Sequence, residues 1–162
     1  MIALRLPDAP ATERLGGALG SGWARTRPRP QSLHLLGELG AGKTTLVQGL
    51  LAALGVAGVV RSPSYSLIEV YPVASGTLVH ADFYRLHGGE ELEALGWRDY
   101  AVPGTLAVIE WPQNVGPALP PPDLRIRLEY LGSGRQALID ALAPAGVAWL
   151  EASGITAAST SI

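Results

Sequence analysis

The stretch Gly37-Glu38-Leu39-Gly40-Ala41-Gly42-Lys43-Thr44 constrains this chain more than any other, because it matches GxxxxGK[ST] in full between a short apolar run and a helical pattern. Glycines there let successive backbone N–H groups turn toward one point. A strand must lead into such a loop and a helix N-terminus must follow it. Leu33, Leu35 and Leu36 supply the strand signal. Leu46, Leu50 and Leu54 form an i, i+4, i+8 stripe on the helix, which Gly55 stops. In a loop of this kind Lys43 reaches the β and γ oxygens of a nucleotide and the Thr44 hydroxyl ligates Mg²⁺. Gly40, Ala41, Gly42 and Thr45 complete the cradle at the positive end of the helix.

With 162 residues the chain is one domain by length, too short for a separate substrate domain of ordinary size, so function is expected near the loop or with partners. A net charge of -2 gives no global basic field for tight binding of DNA or RNA, and any RNA contact is expected to be local or shared. The absence of cysteine excludes disulfides, thiolate metal sites and a cysteine nucleophile, and agrees with a cytoplasmic home. Neither a secretory signal nor an 18-residue apolar window is present, so a protein without membrane contact is expected. The one basic cluster, Arg25-Thr26-Arg27-Pro28-Arg29-Pro30, reads as a solvated loop.

Ile2 to Leu6 alternates like an edge strand and stops at Pro7. Asp8 caps a helix with Pro10 in its first turn and Leu15, Leu19 and Trp23 on one face, expected to end near Gly20 and Gly22. The strand Ser32 to Leu36, the loop and the helix Lys43 to Leu54 come next. Tyr65 to Tyr71 and Thr77 to Asp82 read as a hairpin turning at Pro72 to Gly76. Glu90 to Leu95 is a short acidic helix closed by Gly96. Leu106 to Ile109 is a continuous apolar run, as in a strand buried on both faces. After the Pro117 to Pro122 connector, Leu124 to Tyr130 pairs with Arg135 to Asp140. The fold expected is a three-layer α/β P-loop NTPase core, with a mostly parallel central sheet and antiparallel hairpin strands. Residues 1–145 form the domain and 146–162 a loosely ordered tail.

Ligands of open α/β sheets sit at the carboxyl ends of the strands, which singles out Glu110 and Asp82. Glu110 follows the most apolar strand, where a carboxylate is costly unless it meets a cation, and is the metal candidate beside Thr44. Asp82 is the candidate to orient an attacking water. If the strand persists, His80, Asp82 and Tyr84 share a face, with His80 hydrogen-bonding Asp82 or a loop, or serving only structure. Arg85 is expected either to approach the γ-phosphate or to pair with Asp82. Arg61 to Tyr65 lies where P-loop switch proteins place a segment that orders on the γ-phosphate.

Taken together, Gly37 to Thr45, Ser62-Pro63-Ser64-Tyr65, His80-Ala81-Asp82-Phe83-Tyr84-Arg85-Leu86, Glu91 to Gly96 and Ile109-Glu110-Trp111-Pro112 closely resemble the TsaE family, also called YjeE. The likeness runs from about Leu4 to Ile139. It implies a bacterial P-loop ATPase, using ATP and Mg²⁺, needed for the threonylcarbamoyl modification of adenosine 37 in tRNAs that read ANN codons. Such a protein does not transfer the threonylcarbamoyl group itself. It binds the TsaB and TsaD proteins, and its ATP hydrolysis resets their complex, with tRNA contacted indirectly or jointly. By the same resemblance Lys43 and Thr44 are the phosphate and Mg²⁺ residues, Glu110 the second metal ligand and Asp82 the catalytic or switch acid. Trp111 is a wall of the nucleotide site, and Thr12 matches a position near the adenine. Ser64 stands where the family more often has Thr, and Gln113 where an acid is frequent.

Two other functions compete. A small-molecule P-loop kinase needs an acceptor pocket and an arginine-bearing lid, for which the stretch from Glu110 to Pro122 has little room. A GTP switch needs an Asn-Lys-x-Asp segment to read guanine, and none occurs.

Overall fold

A strand with a continuous apolar run, here Leu106 to Ile109, belongs where both its faces are covered, and Thr105–Glu110 (β5) is buried at all six residues. In the computed structural model, which describes residues 1–29 and 31–156, β5 lies inside a seven-stranded sheet. The other strands are Ile2–Leu6 (β1), Ser32–Leu36 (β2), Ile68–Val73 (β3), Gly76–Asp82 (β4), Leu124–Leu131 (β6) and Gly134–Ala141 (β7). Their order is β1-β7-β6-β2-β5-β4-β3. The four central strands β6, β2, β5 and β4 run parallel, and antiparallel partners close both flanks. This is the expected α/β architecture with antiparallel hairpin strands, and the sheet as a whole is mixed around a parallel centre.

One sheet face carries the helices Ala9–Arg25 (α1), Lys43–Ala53 (α2) and Pro144–Ala152 (α4), which share a core with Leu33, Leu35, Leu106, Val108 and Ile126. The other face has a thinner cover. There Gly89–Ala94 (α3) and short 3₁₀ turns place Leu92, Trp97, Val115 and Leu119 over Val79, Ala81, Ala107 and Ile109.

The Asp8 side chain accepts from the Ala11 amide at 2.8 Å and so caps α1, as its sequence suggests. The helix does not end near Gly20 and Gly22 but continues to Arg25. These glycines are there for space rather than as stops. A Cβ at Gly16 would lie 1.9 Å from the Leu46 carbonyl oxygen, one at Gly20 2.5 Å from that of Leu50, and one at Gly49 2.0 Å from that of Glu13. α1 and α2 therefore touch backbone to backbone, which fixes the P-loop helix against the sheet.

Two further expectations are corrected. Strand β3 starts at Ile68 and includes Pro72, which an edge strand tolerates because the missing N–H faces outward, so the hairpin turn is only Ala74-Ser75. The segment 146–162 is expected to be a loose tail, but its first part, 146–152, belongs to the helix Pro144–Ala152. Trp149 is fully buried and its indole N–H donates to the Leu19 carbonyl at 2.7 Å, while Arg25 donates to the Ala152 carbonyl at 2.6 Å. The expectation for residues 157–162 lies outside the described residues. Among the described residues no helix is long and apolar enough to cross a membrane.

Candidate functional site

The loop between β2 and α2 needs a backbone that side-chain-bearing residues resist. Gly37, Gly40 and Gly42 have φ of 140°, 76° and 104°. Its carbonyls are held from outside: Tyr130 Oη donates to Leu39 O at 3.0 Å and Arg135 Nη2 to Gly40 O at 3.2 Å, with the Arg135 guanidinium over the Tyr130 ring. Both come from the β6–β7 hairpin. Their reach to the loop gives no local sequence signal, and the sequence reading missed them.

Lys43, the only lysine in the chain, begins α2 and is 5% exposed. Its ammonium donates to the Gly37 and Glu38 carbonyls, each at 2.8 Å, and sits 4.3 Å from the centre of the Trp111 ring. Burial lowers its pKa from the ordinary lysine value, while the charges of Glu110 and Asp82 pull the other way. The environment therefore holds a cation short of the compensation that an anion would supply.

Parallel register brings the two acids together. Asp82 pairs with Glu110 and His80 with Val108, so all four point to the face that carries α2. Thr44, one residue into α2, donates its hydroxyl to Glu110 Oε1 at 3.1 Å. His80 Nε2 lies 2.9 Å from the same oxygen, so His80 bonds Glu110 rather than Asp82. Asp82 is held by the Ser62 hydroxyl and by the Tyr84 amide at 3.0 Å. β4 ends at Asp82, so Tyr84 leaves the strand pattern and its ring instead lies 4.9 Å from that of Trp111. Arg85 makes no ion pair with Asp82; its guanidinium stacks 4.7 Å from the Tyr65 ring centre.

Gly40, Gly42, Lys43, Thr44, Thr45, Asp82, Glu110 and Trp111 line one cleft of about 390 Å³, together with Ser62, Ser64, Tyr84 and Arg85. Ala41 is buried beneath it, and Thr12 is buried against Gly42, 3.5 Å from where a Cβ would stand. A wider groove of about 780 Å³ adjoins, sharing Leu39 and Trp111 and bounded by Gln113, Arg127 and Tyr130.

Among the described residues two non-glycine residues are left-handed, Leu67 at φ 65° and Trp111 at φ 58°, and Trp111 lines the cleft. Trp111 directly follows Glu110, and the Leu67 carbonyl accepts from the Asp82 amide at 3.0 Å. Such conformations cost about 1–3 kcal/mol each and concentrate where a site requires them.

A hydroxyl and a carboxylate form a hard-oxygen pair, and among the described residues no three His, Cys, Asp or Glu side chains converge on a metal position. That donor set suits an ion that keeps waters and takes its remaining ligands from phosphate, as Mg²⁺ does, rather than one caged by protein.

The family model described as "Threonylcarbamoyl adenosine biosynthesis protein TsaE" matches residues 6–138. The tRNA threonylcarbamoyladenosine biosynthesis protein TsaE of Haemophilus influenzae is 42% identical over 103 residues, covering 64% of this chain and 65% of that protein's length. Its namesake from Nostoc sp. is 35% identical over 143 residues, covering 86% of this chain and 85% of that one. The crystal structure of Bacillus subtilis YdiB superposes with a TM-score of 0.76 over 94% of this chain and 93% of that chain, at 25% identity. The chain belongs to the TsaE family.

Proposed function

We propose that this chain is an ATP-binding, slowly ATP-hydrolysing accessory protein of tRNA N6-threonylcarbamoyladenosine biosynthesis, acting on a TsaB–TsaD complex. The observation that carries the ATP reading is the convergence of Lys43, the Thr44–Glu110 pair and Asp82 in one cleft. The family supports the pathway and, with it, the choice of partners.

A polyphosphate entering the cleft gives the Lys43 ammonium anionic oxygens in place of the neutral Gly37 and Glu38 carbonyls, so that both donor and acceptor carry charge. The amides at the head of α2 add the partial positive charge of a helix N-terminus. Thr44 donates its hydroxyl hydrogen bond to Glu110, which leaves its oxygen lone pairs for a metal. Thr44 and Glu110 would hold Mg²⁺, which when bound neutralises charge across the β and γ phosphates. Asp82, fixed on both sides by Ser62 and Tyr84, orients the attacking water. Ser62 also links that acid to the segment 61–67, so a change at the γ-phosphate passes to the surface through Asp82. The adjoining groove supplies room for the nucleoside. From Glu110 to Pro122 the chain forms two short 3₁₀ turns rather than a lid helix, which favours a reset ATPase over a metabolite kinase.

Titration of a fluorescent ATP analogue in the presence of Mg²⁺ tests this reading. Lys43→Ala removes two charge-assisted bonds and should weaken binding about 100-fold. Equal affinity of the two proteins would remove the nucleotide from the cleft. Co-purification of TsaB and TsaD with the wild-type chain in ATP, and their absence from a Lys43→Ala pull-down, tests the partners. Rapid phosphorylation of a small metabolite would favour the kinase instead.

A further inference from the structure

Beyond the phosphate cradle, one side chain is tied to the site without facing its ligand. His80 is fully buried in β4, with Nε2 2.9 Å from Glu110 Oε1 and with Nδ1 making no hydrogen bond to any described residue. A ring proton on Nδ1 would be a buried donor without an acceptor, whereas on Nε2 it has a carboxylate to meet. Nε2–H therefore donates to Oε1. The Thr44 hydroxyl donates to that same oxygen at 3.1 Å, and the described residues give Oε2 no hydrogen bond. The contact follows from the sheet register, which sets His80 opposite Val108 and diagonal to Glu110 on the face toward α2.

We propose that His80 is a positioning residue: it clamps Glu110 Oε1 from behind so that the carboxylate presents Oε2 toward the metal position. The proposal rests on the Mg²⁺–nucleotide reading above. Glu110 is 2% exposed, so a carboxylate released by His80 would find little water to fix its rotamer. Hydrogen bonds behind a metal ligand set its orientation and basicity. Thr44 alone cannot do this, because its hydroxyl lies on the ligand side, where the phosphates and the metal also pull on it. His80 approaches from the sheet.

The test separates Mg²⁺ binding from nucleotide binding. His80→Leu removes the donor, His80→Asn places an amide too short to reach Glu110, and His80→Gln restores a donor near the Nε2 position. Affinity for fluorescent ADP is measured in chelator and then across a Mg²⁺ titration, with thermal melts confirming that each variant is folded. Leu and Asn should raise the Mg²⁺ concentration for half-maximal effect about 10- to 100-fold, leave metal-free affinity within about twofold, and be largely rescued by Gln. Long-range ¹H–¹⁵N spectra of the wild-type imidazole should show the Nε2-protonated tautomer. A wild-type Mg²⁺ requirement in folded His80→Leu or His80→Asn, equal impairment by Gln and Asn, or an Nδ1-protonated ring overturns the proposal. If the nucleotide reading itself fails, the result differs: the wild-type chain binds no ADP in either condition, and both claims fall.

Discussion

Two histidines, His34 on β2 and His80 on β4, are buried in this sheet with only β5 between their strands, and their surroundings are opposite. His80 faces α2 and the P-loop and meets a carboxylate. The register places His34 opposite Ile109, on the other face, beside a cavity of about 120 Å³ bounded by Trp97, Val102 and Leu119. Among the described residues no acid forms an ion pair with it there. Desolvation, and then the charge of Arg125 in the adjacent register position, lower its pKa from 6.5 to about 4. In sequence both are lone histidines in apolar strands. What separates a structural histidine from one that serves the site is which face of β5 its strand register selects.

The largest effect expected from this contrast is on acid stability. Because the folded-state value of His34 lies below the unfolded one, the unfolded chain binds a proton between pH 6.5 and about 4 that the folded chain refuses. The full stability is present above pH 6.5 and declines as pH falls through that window, by on the order of 3 kcal/mol. Urea melts at pH 7 and pH 4.5 measure the loss. His34→Leu should flatten this part of the slope. An unchanged slope in folded His34→Leu would contradict the assignment of this loss to the face that holds His34.

A smaller effect is expected at the site end of β4. Asp82→Ala should lower ATP turnover about 10- to 100-fold, equivalent to about 1.4–2.7 kcal/mol, because it removes a positioned proton acceptor. Binding of Mg²⁺–ATP should change little. Steady-state hydrolysis and equilibrium binding on one preparation distinguish the two, and loss of binding without loss of turnover would make Asp82 a structural residue.

Much of this was legible along the chain because the signals are local. The P-loop glycines, the Asp8 cap, the apolar run of β5 and the acids ending β4 and β5 each depend on a few adjacent residues. Features that depend on approach across the fold were not. Gly20 reads as a helix stop along the chain, whereas in the fold it, Gly16 and Gly49 serve the contact of two helix backbones. Tyr130 and Arg135 brace the loop from a hairpin distant in sequence, and His80 finds Glu110 only through strand register. The left-handed turns at Leu67 and Trp111 run against residue preference, so nothing local announces them. Helix α4 did have a signal, Pro144 at its first turn followed by Val147, Trp149 and Leu150, which the polar residues beyond it obscured.

The central claim, that the cleft headed by Lys43 binds a Mg²⁺–nucleotide, can be tested at one atom. Because Lys43 is the only lysine, protein labelled with [¹⁵N]lysine gives a single lysine backbone amide resonance, located at the head of α2. Addition of ATP with Mg²⁺ should move that resonance saturably as the amide meets phosphate. A resonance that stays in place through millimolar ATP, in a protein that is still folded, would contradict a nucleotide site in this cleft.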